Sequence, residues 1–374
     1  MRAIKALTIL GTRPEAVKLA SVIGDLHASD SFDVRVGITG QHRDLIQPFL
    51  GVFGIEPDWD LALMAPDQTL TDLTSVVLRE LRVALEQEQP DVILVQGDTT
   101  TAFAAALAAF YQRIPIAHVE AGLRSGNRDH PFPEETHRRL VDAISAYLFA
   151  PTDDARTNLI AEGHPASRIW VTGNTAIDAM LNAVRDPRLD ETELPIGWDG
   201  DRRLVVVTAH RRESFGADLD SICHALRRLA TERDDVEIVY PVHVNPHVRV
   251  PVCERIGQVE RIHLIDPLPY LEFVKLLSCA HVVLTDSGGI QEEAPALDVP
   301  VLIMRQATER PEVVASGAGR VIGTDTDGIV SATSRVLDDA EERDRMARAP
   351  NPFGDGHAAA RIVRALEAGF ASQV

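Results

Sequence analysis

The sequence predicts an α/β protein of two Rossmann-like, doubly wound domains, and three observations carry that expectation. Its 374 residues amount to about two domains at roughly 150 residues each. Short, β-rich apolar runs alternate with helix-length segments along most of the chain, as in parallel sheets covered by helices on both faces. Midway, Asp186–Arg203 is charged, carries Pro187 and Pro195 and contains a Gly-Trp-Asp-Gly turn, which reads as the entry to a second unit.

The strands of the first half are expected at Ala6–Leu10, Val34–Thr39, Val92–Gln96, Ile116–Val119, Tyr147–Ala150 and Ile169–Thr172. Those of the second half are Leu204–Thr208, Val236–Pro241, Ile262–Ile265, Val282–Thr285, Val301–Met304 and Arg320–Gly323. Helical patterns such as Ala102–Gln112, Leu219–Arg233 and Tyr270–Cys279 lie between them, and right-handed crossovers assemble such units into doubly wound layers. Because Ile169–Thr172 still reads as a closing strand, the boundary is set at Gly173, giving domains 1–172 and 173–354. The amphipathic segment His357–Phe370 follows an Asn-Pro-Phe-Gly-Asp-Gly breaker; its pattern alone lets it pack on either domain.

Composition narrows the function. With 37 Lys and Arg against 56 Asp and Glu, the net charge is −19, so a broad phosphate-backbone surface is not expected and an anion must be held by a local cationic cluster. A hydrophobic share of 45% with 25% charged residues is that of a folded globular chain. Cys223, Cys253 and Cys279 form neither a CxxC nor a zinc spacing, which fits a reducing compartment. The longest apolar run, Ala102–Tyr111, is about half a membrane span, and MRAIKALTILG reads as a first strand rather than a leader. A cytoplasmic protein without membrane or nucleic-acid partners is expected.

Ligands on open α/β sheets bind beyond the carboxyl ends of the strands, and the chemistry-bearing residues concentrate there. After the first strand, Gly11-Thr-Arg-Pro-Glu-Ala-Val-Lys18 opens a helix, with Arg13 and Lys18 adding positive charge near its N-terminus. This is not a Walker loop, and no strand leads into GxGxxG. Asp98 falls at the end of the strand Val92–Gln96, in Gln96-Gly-Asp-Thr-Thr-Thr101, and a plain helix N-cap is the alternative for it. Glu120 ends the strand Ile116–Val119, in His118-Val-Glu-Ala-Gly-Leu-Arg124, where an unpaired carboxylate is costly to desolvate. Glu134 and Glu135 follow Pro133 in a first helical turn, where the dipole alone favours acids. Asp98, Glu120 and Glu134 at neighbouring strand and helix ends suit general acid–base work.

In the second half, Thr208-Ala-His-Arg-Arg-Glu213 supplies His210 and Arg211 as donors to a phosphate or sugar. His243 and His247 stand at i, i+4, but Pro246 interrupts them and no third ligand is near, so no metal site is expected. Thr285-Asp-Ser-Gly-Gly-Ile-Gln-Glu-Glu293 is a strand, a glycine-rich turn and a helix start, and Ser287, Gly288 and Gly289 suit a diphosphate. Glu293 suits a ribose diol, Phe273 a base or the core, and Arg310 adds a cation. The residues thus point to a nucleotide-activated substrate and proton chemistry, bound in an interdomain cleft.

The stretches GTRPEAVKLA, GQHRDL, QGDTTTAFAAALAAFYQRIP, HVEAGLRSG, PFPEETHRRL, TGNTAIDA, TAHRRESFG, YPVHVNP, LIDPLPYLEFV, LTDSGGIQEEAP and TERPE run in order over nearly the whole chain. Together they resemble the non-hydrolysing UDP-N-acetylglucosamine 2-epimerase family. The resemblance implies a GT-B-like fold, a homodimer, a last helix (355–374) returning to the N-terminal domain, and no cofactor. It implies interconversion of UDP-N-acetylglucosamine and UDP-N-acetylmannosamine, through loss of UDP to a 2-acetamidoglucal and its re-addition, in the supply of cell-envelope polysaccharide. Asp98, Glu120, Glu134, Lys18 and His210 match the family's catalytic positions, and Arg13 a phosphate-binding one. Phe273, Ser287, Gly288, Gly289, Glu293 and Arg310 match its nucleotide site. Gln41, Glu135, Arg211 and His243 match the site of a second, activating UDP-N-acetylglucosamine. Two departures stand out: His137 replaces an Asn of many members, and Arg128-Asp-His130 a more apolar or aromatic run. A 2-epimerase of a modified UDP-sugar, such as a diacetamido-uronic acid, a GT-B glycosyltransferase, which would not need the Asp98, Glu120 and Glu134 set, and a nucleotide-sugar sensor are the rival readings.

Overall fold

Apolar runs too continuous to leave either face in water must be strands covered on both sides. Val92–Gln96 and Val282–Thr285 are buried along their whole lengths. The computed structural model, which describes residues 2–40, 43–63, 65, 68–198, 200–211 and 215–372 (for 43–45 the backbone alone), places these runs in two parallel sheets. One compact unit comprises Met1–Ala179 with Phe353–Val374, and the other Met180–Pro352. The change of unit falls inside the helix Thr175–Val184, a few residues beyond Gly173.

In the first unit the strands are β1 (Ile4–Leu10), β2 (Phe32–Ile38), β3 (Trp59–Asp60), β4 (Val92–Gln96), β5 (Ile116–Val119), β6 (Tyr147–Ala150) and β7 (Ile169–Val171). Their order is β3-β2-β1-β4-β5-β6-β7, with register fixed by pairs such as Leu7 with Ile93. The winding direction reverses between β1 and β4. The helix Thr100–Tyr111 lies in the core cluster with Leu7, Ile93 and Val95, through Ala102, Ala104, Ala105, Ala106, Ala108 and Ala109. Small side chains there allow a close helix–sheet approach. The C-terminal helix Ala358–Ala371 belongs to this unit. Ala359 N–H donates to Asp178 at 2.8 Å, Arg361 to the Thr172 carbonyl at 3.0 Å, and Ser29 to Glu367 at 2.8 Å.

The second unit contains β8 (Arg203–Thr208), β9 (Val236–Pro241), β10 (Ile262–Ile265), β11 (Val282–Thr285), β12 (Val301–Ile303) and β13 (Gly319–Val321), in the order β10-β9-β8-β11-β12-β13. Its core gathers Val205, Val207, Leu226, Tyr240, Leu284 and Leu302. The winding reverses between β8 and β11, so each unit is a Rossmann-like doubly wound layer with its own switch point. No described helix is long and apolar enough to cross a membrane.

Candidate active site

Each switch point is where the polar residues of its unit collect. In the first, the chain leaves β1 through Gly11 into the helix Arg13–Ala28. A β-carbon on Gly11 would lie 2.3 Å from the Thr101 hydroxyl, so only glycine lets β1 and the helix after β4 approach this closely. Fully buried Glu15 closes the turn: its Oε2 accepts from Thr12 N–H at 2.6 Å and Gly11 N–H at 3.1 Å, and its Oε1 from the Thr99 hydroxyl at 2.7 Å. Burial pushes its carboxyl up to about 7, against the pull of those hydrogen bonds. Arg13 is half-buried and has no carboxylate partner among the described residues.

Glu120, just past β5, is largely buried and takes a left-handed backbone conformation, φ +70°, uncommon for a side chain of its size and typical of functional sites. Its backbone N–H donates to Phe149 O at 3.0 Å. Its carboxylate is paired with the Lys18 ammonium and receives the Gln96 amide at 2.5 Å. Beneath it, His118 bridges Asp142, 2.7 Å from Nδ1, and the Gly97 carbonyl, 2.8 Å from Nε2. Asp142 also accepts from Gly122 N–H at 3.2 Å and from Arg124 at 2.7 Å. These buried bonds tie the exits of β4 and β5 together.

Asp98 is not an N-cap. Thr99 performs that function, its hydroxyl accepting from Ala102 N–H at 3.0 Å, which leaves the Asp98 carboxylate for Arg138. Arg138 donates to it from Nε at 3.0 Å and pairs with it through Nη2. His137 stacks on Phe103, with ring centres 4.9 Å apart, and its Nδ1 lies 3.1 Å from the Asp98 carbonyl. The residue that departs from the family pattern therefore supports the Asp98 loop. Glu134, one helical turn before Arg138 in the helix Glu134–Ile144, is half-buried without a described hydrogen-bond or ion-pair partner. Glu135 is fully buried: its carboxylate accepts from Ser125 N–H at 2.9 Å and from Arg139 at 3.1 Å.

The second unit's switch point gathers imidazoles and guanidinium groups over a buried carboxylate. After β8, the His210 and Arg211 N–H groups both donate to Oδ2 of buried Asp286, each at 2.9 Å. The Thr208 and Thr285 hydroxyls meet at 2.7 Å, and Tyr240 OH donates to the Ala209 carbonyl. His210 stacks on His243 with ring centres 5.4 Å apart. Burial holds its imidazole below the usual histidine range; Asp286 opposes that, while His243 and Arg211 add to it. His243 precedes the helix Pro246–Ile256, which Asn245 caps by accepting from His247 N–H at 3.0 Å, so His243 and His247 share no helix face.

Ser287 leads from β11 into the short helix Gly288–Glu293. A β-carbon on Gly288 would lie 3.5 Å from Arg211 Nη2 and 3.9 Å from Arg310 Nη2, so two guanidinium groups converge on that turn. Arg310 is anchored by buried Glu292 and by its own N–H on the Thr308 hydroxyl at 2.9 Å. Burial alone would raise the Glu309 carboxyl, but Arg211, Arg305 and Arg310 outweigh it and hold the group below its ordinary value. Phe273, on the helix Tyr270–Ser278, is half-buried rather than part of the core. Gln41 lies outside the described residues.

Sequence reasoning overlooked Glu15, Arg138 and Asp286. Arg138 stands four residues after Glu134, on the same helical face, and Asp286 ends its strand as Asp98 and Glu120 do theirs. Those two signals were present; the buried role of Glu15 had none beyond its capping-box spacing from Thr12.

Residues 24–367 match the model of the UDP-N-acetylglucosamine 2-epimerase family. The UDP-N-acetylglucosamine 2-epimerase of Escherichia coli K12 is 49% identical over 371 residues, 97% of this chain and 98% of the relative. That of Bacillus subtilis 168 is 45% identical, covering 98% and 96%. The crystal structure of the Neisseria meningitidis UDP-GlcNAc 2-epimerase bound to UDP-GlcNAc superposes with a TM-score of 0.89 at 42% identity, covering 98% of this chain and all of that one. The Methanocaldococcus jannaschii enzyme in complex with UDP-GlcNAc and UDP gives 0.79 at 35%, with the same coverage. With polar residues gathered at the switch points of two Rossmann-like units and this likeness along its whole length, the chain belongs to the UDP-N-acetylglucosamine 2-epimerase family.

Proposed function

We propose that the protein interconverts UDP-N-acetylglucosamine and UDP-N-acetylmannosamine in the cytoplasm, the first unit carrying the acid–base groups and the second the nucleotide. The observation that carries this reading is Glu120: a carboxylate on strained backbone, held by Lys18 and Gln96 beside the Asp98 loop. A pure binding module has no need of such an arrangement, which favours an enzyme over a sensor.

C2–H of a pyranoside is scarcely acidic, so its removal is coupled to departure of UDP from C1. One carboxylate of the Asp98, Glu120 and Glu134 set accepts the C2 proton as the C1–O bond breaks. The electron pair of the C–H bond forms the C1–C2 double bond of 2-acetamidoglucal, and the C1–O pair leaves with UDP. A diphosphate oxygen then re-forms the C1–O bond while the C1–C2 π pair takes a proton, on the opposite face of C2, from another group of the set in its carboxylic acid form, protonated by solvent. Arg13, Lys18 and His210 stabilise the departing diphosphate, where preorganised charge contributes most. Arg310 grips it at the Gly288 turn with Ser287 and Gly289, Glu293 accepts from the ribose diol, and Phe273 stacks on the uracil. The second, activating UDP-N-acetylglucosamine draws on Gln41, Glu135, Arg211 and His243, and the protein acts as a homodimer.

An NMR time course with UDP-N-acetylglucosamine in deuterated buffer tests the reading. It should show UDP-N-acetylmannosamine appearing with deuterium at C2. Epimerisation with protium retained would sink the elimination route, and no turnover despite UDP binding would revive the sensor. Side-by-side assay of modified UDP-sugars separates the remaining enzyme reading.

A further inference from the structure

We propose that Asp286 is a positioning residue for the reaction, acting through His210. Its carboxylate crosses the β8/β11 switch point. Oδ2 accepts the N–H groups of His210 and Arg211, each at 2.9 Å, which fixes the backbone of the loop. Oδ1 is buried without a hydrogen-bond partner among the described residues and lies 3.8 Å from His210 Nδ1. An unpartnered buried acceptor is costly, and among the described residues the donor placed to relieve it is the His210 ring.

The consequence is a division of the imidazole's two edges. Nδ1–H is directed at Asp286, so Nε2 is the edge left to meet the diphosphate. The groups that face the ring are Asp286 from the β11 exit, His243 stacked on it from the β9 exit and Arg211 on its own loop. Of these, Asp286 alone favours the protonated ring, the form that donates from Nε2 as UDP departs. The inference rests on the proposed action of His210 on the diphosphate.

The test uses the full-length protein labelled with 15N-histidine, with His210→Gln to identify the His210 resonances. In the unaltered protein the neutral ring should be the Nδ1–H tautomer; an Nε2–H tautomer overturns the inference. In Asp286→Asn the amide oxygen can still accept both backbone N–H groups, but the charge is gone. The His210 midpoint should then move to lower pH by ~1 unit, with kcat falling about 10- to 100-fold at unchanged thermal stability. A midpoint that stays in place overturns the inference even if activity falls. Should Asp286→Asn fail to fold, the tautomer measurement on the unaltered protein decides alone. Full turnover by His210→Gln would instead refute the proposed role of His210 itself, so the two failures are distinguishable.

Discussion

Both units bridge their switch point with a buried carboxylate that accepts two successive backbone N–H groups, yet the two bridges end differently. In the first unit Glu15 receives Gly11 and Thr12 on one oxygen and the Thr99 hydroxyl on the other, so both oxygens hold scaffold. In the second, Asp286 receives His210 and Arg211 on one oxygen and leaves the other facing a side chain. The chemistry at the strand ends differs too: carboxylates paired with Lys18 and Arg138 in one, two stacked imidazoles and two guanidinium groups converging on Gly288 in the other. One sheet topology therefore supports different chemistry, because strand order fixes where loops emerge and only the loop residues decide what they carry.

The sharpest way to break this comparison is to remove the chemistry of the first unit and ask whether the second still binds. Asp98→Asn or Glu120→Gln should lower kcat by roughly 10³-fold or more, while calorimetry shows UDP affinity nearly unchanged. Loss of UDP binding in either variant would erase the division of labour.

Glu15 tests the scaffold bridge. Its folded carboxyl titrates at about 7 against a reference of 4.5, so between those pH values the folded state holds the extra proton. Stability from this group is therefore highest below about pH 4.5 and declines as pH rises to about 7, by on the order of 3 kcal/mol. Glu15→Gln does not titrate. Urea unfolding of the two proteins at pH 5 and pH 8 should show the unaltered one losing more stability across that range, and parallel behaviour would contradict the assignment.

Gly11→Ala places a methyl 2.3 Å from the Thr101 hydroxyl and 2.6 Å from its Cβ, which should cost ~1–3 kcal/mol through overpacking. Tm by calorimetry checks it. The smallest effect is expected at the second unit's turn. Arg310→Ala should raise KM and weaken UDP binding about tenfold, with kcat changed much less. A kcat-dominated loss would instead place Arg310 with the reacting groups.

Much of the scaffold was legible. Val92–Gln96, Ile116–Val119, Tyr147–Ala150 and Val282–Thr285 are strands with the expected ends, because a strand buried on both faces is one apolar run with abrupt polar limits; Val236–Pro241 and Ile262–Ile265 also have the expected ends. Trp59–Asp60 went unread, since two residues carry no periodicity. The N-cap alternative for Asp98 failed because Thr99, one residue on, has the cap geometry.

By itself, then, the sequence determined two α/β units and the residues at their strand ends, since hydrophobic runs and turn chemistry act over a few neighbours. Tertiary structure alone decided which groups meet. Lys18 reaches Glu120 across 102 positions, Arg138 reaches Asp98 across 40, and Asp286 receives His210 across 76. Such pairs arise from the register of non-consecutive strands, which no local pattern encodes. The net charge of −19 showed only that an anion needs local cations; the fold brings Arg211 and Arg310 to one glycine.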